Sequence, residues 1–211
     1  MIRSLTTFSA LVLILASVAC VNASRPSPTV AAPIKVAETK AALRDLWLGH
    51  ILGIRNVAVA TMDKNTAARE VAEKGVVDNA EQIAGSIEAF YGKPASEKLF
   101  SLLAGHYGAI RDDLDATVAG NAAQQQAATK ALTANAGEIA SFLSDANPYL
   151  PKDAVMGLLM THAAHHIQQF QQLKTGEYAQ EAETWKAMKQ HIYVVADTLT
   201  DALAQQFTAK F

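Results

Sequence analysis

Six histidines carry the chemistry this sequence offers: His50, His106, His162, His165, His166 and His191. His50, His106 and His162 follow one another at intervals of 56 residues. His162 and His166 are four apart, so on a helix both rings project from one face, one turn apart. Two imidazoles placed this way can chelate a metal ion, with His165 alongside and Gln169 one turn further on. Imidazole nitrogen suits zinc, copper and nickel, and the donor type does not choose among them. The same residues have a purely structural use. A histidine that faces an asparagine inside a helical pair satisfies its ring nitrogens and pins the packing register.

The motifs that are missing narrow the chemistry further. A lone cysteine, Cys20, excludes internal disulfides, zinc ribbons and cysteine-ligated iron–sulfur clusters. No Cys-x-x-Cys-His is present for haem attachment, and no glycine-rich loop for a nucleotide phosphate. His-Glu-x-x-His, Gly-x-Ser-x-Gly and the Glu-x-x-His of di-iron bundles are absent as well. With 18 Lys+Arg against 20 Asp+Glu the net charge is −2, which argues against a nucleic-acid partner. What survives is an all-imidazole site, completed by an asparagine, glutamine or water. Binding without catalysis is the favoured reading, and hydrolysis by a zinc-bound water is a subsidiary branch.

The stretch His162-Ala-Ala-His165-His166-Ile-Gln168-Gln169 resembles the His-x-x-x-His-x-x-Gln helix of DinB-like metal-binding helical bundles. The resemblance spans eight residues of the 211. It implies that a third histidine from an earlier helix joins His162 and His166, a role open to His50 or His106.

An internal repeat must position these side chains. Residues 46–84 align without a gap on 102–140, with 15 identities in 39 positions. Leu46/Leu102, Gly49/Gly105, His50/His106, Arg55/Arg111, Asn65/Asn121 and Asn79/Asn135 are among them. A second shift of 56 finds a fainter third copy through Leu158, His162, Gly176, Lys186, Ala187 and Leu199. Apolar residues recur at three and four, as in Leu43, Leu46, Trp47, Ile51, Ile54 and Ala58, the stripe of an amphipathic helix. Turn signals fall at Asp63-Lys64-Asn65, Gly120-Asn121 and Thr175-Gly176-Glu177, and prolines at 94, 148 and 151 separate one pair of helices from the next. The expectation is an all-α domain over 37–211: a six-helix bundle built from three hairpins of about 56 residues, with turns near 64, 120 and 176. The periodicity leaves open whether the hairpins close into a bundle or open into a short solenoid.

Symmetry about each turn sets Asn79 opposite His50, Asn135 opposite His106 and His191 opposite His162, a polar layer at one height. Its neighbours are apolar, so the layer points inward. His162 and His166 are the expected nucleus of a metal site, with His106, His50 or His191 completing it and His165, Asn79, Asn135 and Gln169 as supporting or alternative ligands. Free imidazoles titrate near pH 6.5, so binding is expected to weaken below about pH 6. Trp47, Trp185, Tyr107 and Tyr193 read as core. Arg55 and Arg111 share a register that a solvated face, or pairing with Asp112 and Asp113, explains.

The N-terminus reads as an address. Arg3 precedes an apolar run from Phe8 to Ala16, the layout of a secretory signal peptide over 1–19. Ala19-Cys20 resembles the end of a bacterial lipobox, which implies a lipid on Cys20, while cleavage after Ala19 or Ala23 without acylation would release a soluble protein, beginning at Ser24 in the second case. Residues 20–36 lack periodicity and read as a tether. Two functions remain open. One is an exported, envelope-tethered bundle that captures, buffers or delivers zinc, copper or nickel, touching the membrane only through its lipid. The other is a periplasmic helical-repeat interaction module, its protein partner unknown, whose His/Asn layer is structural.

Overall fold

The computed structural model describes residues 32–211, so the expected signal peptide, Cys20 and the tether as far as residue 31 lie outside the described residues. The elements are α1 (Pro33–Met62), α2 (Thr66–Gly85), the single turn α3 (Glu88–Tyr91), α4 (Lys93–Ala119), α5 (Ala122–Ala146), α6 (Lys152–Thr175) and α7 (Tyr178–Gln206), closed by a 3₁₀ turn at Thr208–Lys210. Six are long helices, and among the described residues there is no strand. No described helix is long and apolar enough to cross a membrane. Residues 33–36, read as tether, belong to α1. Pro33 occupies the first helical turn, where its missing N–H costs nothing and its fixed φ suits the helix.

The tight turns have one design. Lys64, Gly120 and Gly176 take left-handed conformations, with φ of 55°, 68° and 75°. In each turn the following residue donates its N–H five residues back: Asn65 to Ala60, Asn121 to Ala116 and Glu177 to Gln172. The left-handed residue itself donates three back, to Thr61, Thr117 and Leu173. These pairs satisfy carbonyls that a helix end otherwise leaves open. Asn65 and Asn121 then cap the next helix, accepting from the N–H of Ala68 and Gln124. Lys64 holds a backbone conformation that glycine adopts at less cost.

The six long helices form a closed ring. α1 packs on α2, α2 on α4, α4 on α5, α5 on α6, α6 on α7, and α7 returns to α1. α1, α4 and α6 also touch one another, which puts them on the inner side of the ring. That closure answers the question periodicity left open. Apolar residues fill both ends of the interior. One cluster gathers Leu43, Trp47, Leu103, Met188 and Ile192, and a second Ile54, Val57, Ile110, Leu114 and Phe170. Each large side chain buried this way stabilises the fold by about 1.5–3 kcal/mol. The closing seam between α1 and α7 also carries ion pairs, Arg44 with Asp197 and Lys40 with Asp201.

Candidate metal centre

The polar layer lies between the two apolar ends, on the helices that meet inside the ring. His50 comes from α1, His106 from α4, and His162 and His166 from α6, and all four are at least 94% buried. His50, His162 and His166 converge, each offering one nitrogen within 4.8 Å of the other two. The Nε2 atoms of His162 and His50 are 3.3 Å apart. Two nitrogens bound to one zinc-like ion at about 2.0–2.1 Å, at a tetrahedral angle, are separated by about 3.3 Å. The observed spacing matches that edge as well as an N–H···N hydrogen bond, and His166 offers a nitrogen within 4.8 Å of both.

The hydrogen-bond inventory sharpens the picture. Both ring nitrogens of His166 and Nδ1 of His162 are buried without a protein partner. A neutral imidazole carries one N–H whichever tautomer it adopts, so His166 buries an unsatisfied donor at a cost of about 1–3 kcal/mol. A cation at the centre would take up the lone pair of the other ring nitrogen, while the N–H stays unpartnered with or without it.

The remaining candidates take other roles. His106 falls outside the converging set, although its ring stacks on that of His162 with centroids 5.8 Å apart. Asn135 orients this ring. Its Nδ2 donates to the Leu102 carbonyl at 3.0 Å, so its Oδ1 is the atom that faces Nδ1 of His106 at 3.2 Å. The His106 proton therefore sits on Nδ1, and Nε2 is left bare, buried and unpartnered. Asn79 makes the same bond to the Leu46 carbonyl, but its Oδ1 has no partner, so the expected pairing with His50 is not made. His50 reaches across the axis to His162 instead. His191 is a third version of the asparagine, its Nε2 donating to the Leu158 carbonyl at 2.9 Å. That bond keeps His191 out of the cluster, and His165, half-buried, lies against His191 rather than the site. Gln169 is turned away too: its Nε2 donates to Glu181 at 3.0 Å.

Glu181 went unnoticed in the sequence. It is buried in the first turn of α7 and grips Arg55 of α1 through two hydrogen bonds of 2.8 and 2.9 Å. The Arg55 guanidinium holds the Glu181 carboxyl below the usual carboxylate range. A signal was available, because Glu181, Thr184, Met188, Ile192 and Val195 continue one buried stripe at spacings of three and four. Arg111, in the Arg55 register, pairs only with its neighbour Asp112. Asp113 does not join it; it is buried with both oxygens unpartnered, and burial pushes its carboxyl up to about 6. Trp47 and Tyr107 are core residues, as expected, and Trp185 and Tyr193 pack against the core.

Burial decides the charge state of the cluster. Desolvation, with the neighbouring His106 charge adding to it, lowers His50 to about 3, and desolvation lowers His106 to about 4 against the help of Asn135. Desolvation and the mutual repulsion of the rings hold His162 and His166 well below 6.5. All four are therefore neutral at neutral pH, the form that ligates a metal. The expectation of proton competition near pH 6 belongs to free imidazoles. In the folded protein the lone pairs stay available well below that.

The flanking contacts are aromatic and apolar. Trp47 sets its ring edge-on to His50, and Phe170 stacks beside His166. The result is a cluster of buried, neutral imidazoles in a low-dielectric setting, three of which could hold a metal ion. No protein-family model, no curated protein and no solved structure matches this chain.

Proposed function

We propose that this protein binds one divalent transition ion through His50, His162 and His166, for capture, buffering or delivery rather than for catalysis. The observation that carries the reading is three buried imidazoles facing one point while His166 has no hydrogen-bond partner at either nitrogen. The donor set fits zinc, copper or nickel, since all three accept imidazole. The short likeness of His162–Gln169 to the DinB-like helix supports the same assignment, with His50 as the third ligand. Export, and a lipid on Cys20, would place such a protein at the cell envelope; this rests on the N-terminal sequence alone.

We further infer that the three hairpins are copies of one unit. Three left-handed turn residues 56 apart support this, as do three side-chain bonds to the carbonyls of Leu46, Leu102 and Leu158, made from Asn79, Asn135 and His191. In that light the asparagine register is structural, a brace across each hairpin. The alternative function, an interaction module with a structural polar layer, draws its support from these satisfied braces at His106 and His191. It leaves the lone-pair nitrogen of His166 without a use.

The discriminating experiment is the stability of His162→Ala with added zinc and with chelator. Metal that binds only the folded state adds RT ln(1 + [L]/Kd), about 2.7 kcal/mol at a hundredfold excess over Kd. The variant should lose that increment while the two chelated proteins differ much less. An equal destabilisation in both conditions would leave the cluster a packing feature.

A further inference from the structure

One helical turn from the histidine layer, on the side away from the tight turns, the ring surrounds an apolar cavity of about 50 Å³ that is largely but not wholly closed. All six long helices contribute to its wall. Three wall residues, Trp47, Leu103 and Leu159, stand three positions before His50, His106 and His162 on the same helices, so they form the partition between cavity and imidazoles. The wall is aliphatic apart from a few polar side chains, and those are already engaged. Ser86 Oγ donates to the Ile83 carbonyl, Thr198 Oγ1 to the Val194 carbonyl, and Tyr91 OH to Gln206 while accepting from Asn147. The exception is the Trp47 indole N–H, buried and unpartnered.

The volume and the wall together select an occupant. Water occupies about 30 Å³ in the liquid and requires two to four hydrogen-bond partners in a protein interior. A water here would find at most one donor, the Trp47 N–H, so the wall favours an apolar occupant. An apolar cavity of about 150 Å³ accommodates benzene, and this one is a third of that size. It fits two heavy atoms rather than six. We propose that the cavity is a docking site for an uncharged diatomic gas of the dioxygen or nitric oxide class, held one turn from the imidazole cluster. Such a molecule loses little hydration on entry. The binding step needs no metal; only its delivery to an ion at His50, His162 and His166 rests on the metal-binding reading.

Xenon, an apolar probe of similar size, tests the site on the chelator-treated full chain, so that failure of the metal reading leaves the result intact. Titration followed by ¹²⁹Xe magnetic resonance should show one saturable site. Dissolved dioxygen should broaden the methyl signals of Leu103 and Leu159 above those of Leu132, in the apolar cluster on the turn side of the histidine layer. Leu159→Phe should weaken xenon association at least tenfold. Leu159→Ala, which enlarges the space, should strengthen it and admit benzene, and it serves if the phenylalanine variant does not fold. Non-saturable xenon shifts, xenon binding unchanged in both variants, or an ordered water in the cavity of a crystal would each overturn the proposal.

Discussion

Lowering the pH from 7 to 5 should unfold this protein through its histidines. In the unfolded chain each imidazole titrates near 6.5. In the folded protein burial lowers His50 to about 3 and His106 to about 4, and holds His162 and His166 well below 6.5. A folded pKa below the unfolded one means that the unfolded chain takes up protons first. The four groups therefore cost nothing above about pH 7, and stability drains away as the pH falls through 6.5 toward 4. At pH 5 each contributes a loss of about 2 kcal/mol, or about 8 kcal/mol together. Asp113 works in the opposite direction. Its carboxyl is raised to about 6, so protonation in the folded state relieves about 1 kcal/mol over the same interval. The net loss of about 7 kcal/mol is comparable to the whole stability of an ordinary domain. Urea titrations followed by helical circular dichroism at pH 7.5, 6.5, 5.5 and 5.0 would measure it. The slope should approach about 4 kcal/mol per pH unit near pH 5.5, a net uptake of about three protons on unfolding. A slope below about 1.4 kcal/mol per unit, one proton or fewer, would refute the claim that these rings are buried neutral.

Other perturbations test the supporting framework. A Cβ at Gly105 would lie 3.1 Å from Asn135 Nδ2, so Gly105→Ala should loosen the brace to Leu102, cost about 1–2 kcal/mol in thermal unfolding and shift the His106 ring resonances. Gly75, with open space around it, is the control: Gly75→Ala should stabilise by about 0.5–1 kcal/mol. Glu181→Gln leaves Arg55 without its carboxylate and should cost about 2–3 kcal/mol by denaturant titration, with Glu181→Asp no full rescue because the two-point grip is lost. Asp113→Asn removes a buried charge without a partner and should raise stability at pH 7.5 by about 1–3 kcal/mol, with the gain shrinking at pH 5.

Much of the architecture was written in local signals. The left-handed turn residues at 64, 120 and 176 sit where the turn-forming residues interrupt the helical period, so hairpin boundaries were readable to within a residue or two. The i, i+4 pair of His162 and His166 was readable for the same reason, since one helix determines it. The third member of the cluster was not. His50 and His106 occupy equivalent positions, and what separates them is that Asn135 ties down His106 while the Asn79 carbonyl oxygen leaves His50 free to meet His162. That difference arises from how α1, α4 and α6 meet inside the ring, which periodicity does not encode. Closure of the ring was invisible for a similar reason. The α1–α7 seam joins Arg44 to Asp197 and Arg55 to Glu181 over more than a hundred residues, and each charge taken alone reads as a solvated helix face.

X-ray absorption at the zinc edge of protein loaded with one equivalent of zinc would test the central claim most directly. Three imidazoles bound to one ion should give a nitrogen shell near 2.0–2.1 Å with the outer-shell scattering of three rings, falling to two rings in His50→Ala and unchanged in His191→Ala. A protein that takes up no stoichiometric zinc, or a shell without imidazole scattering, would contradict the account.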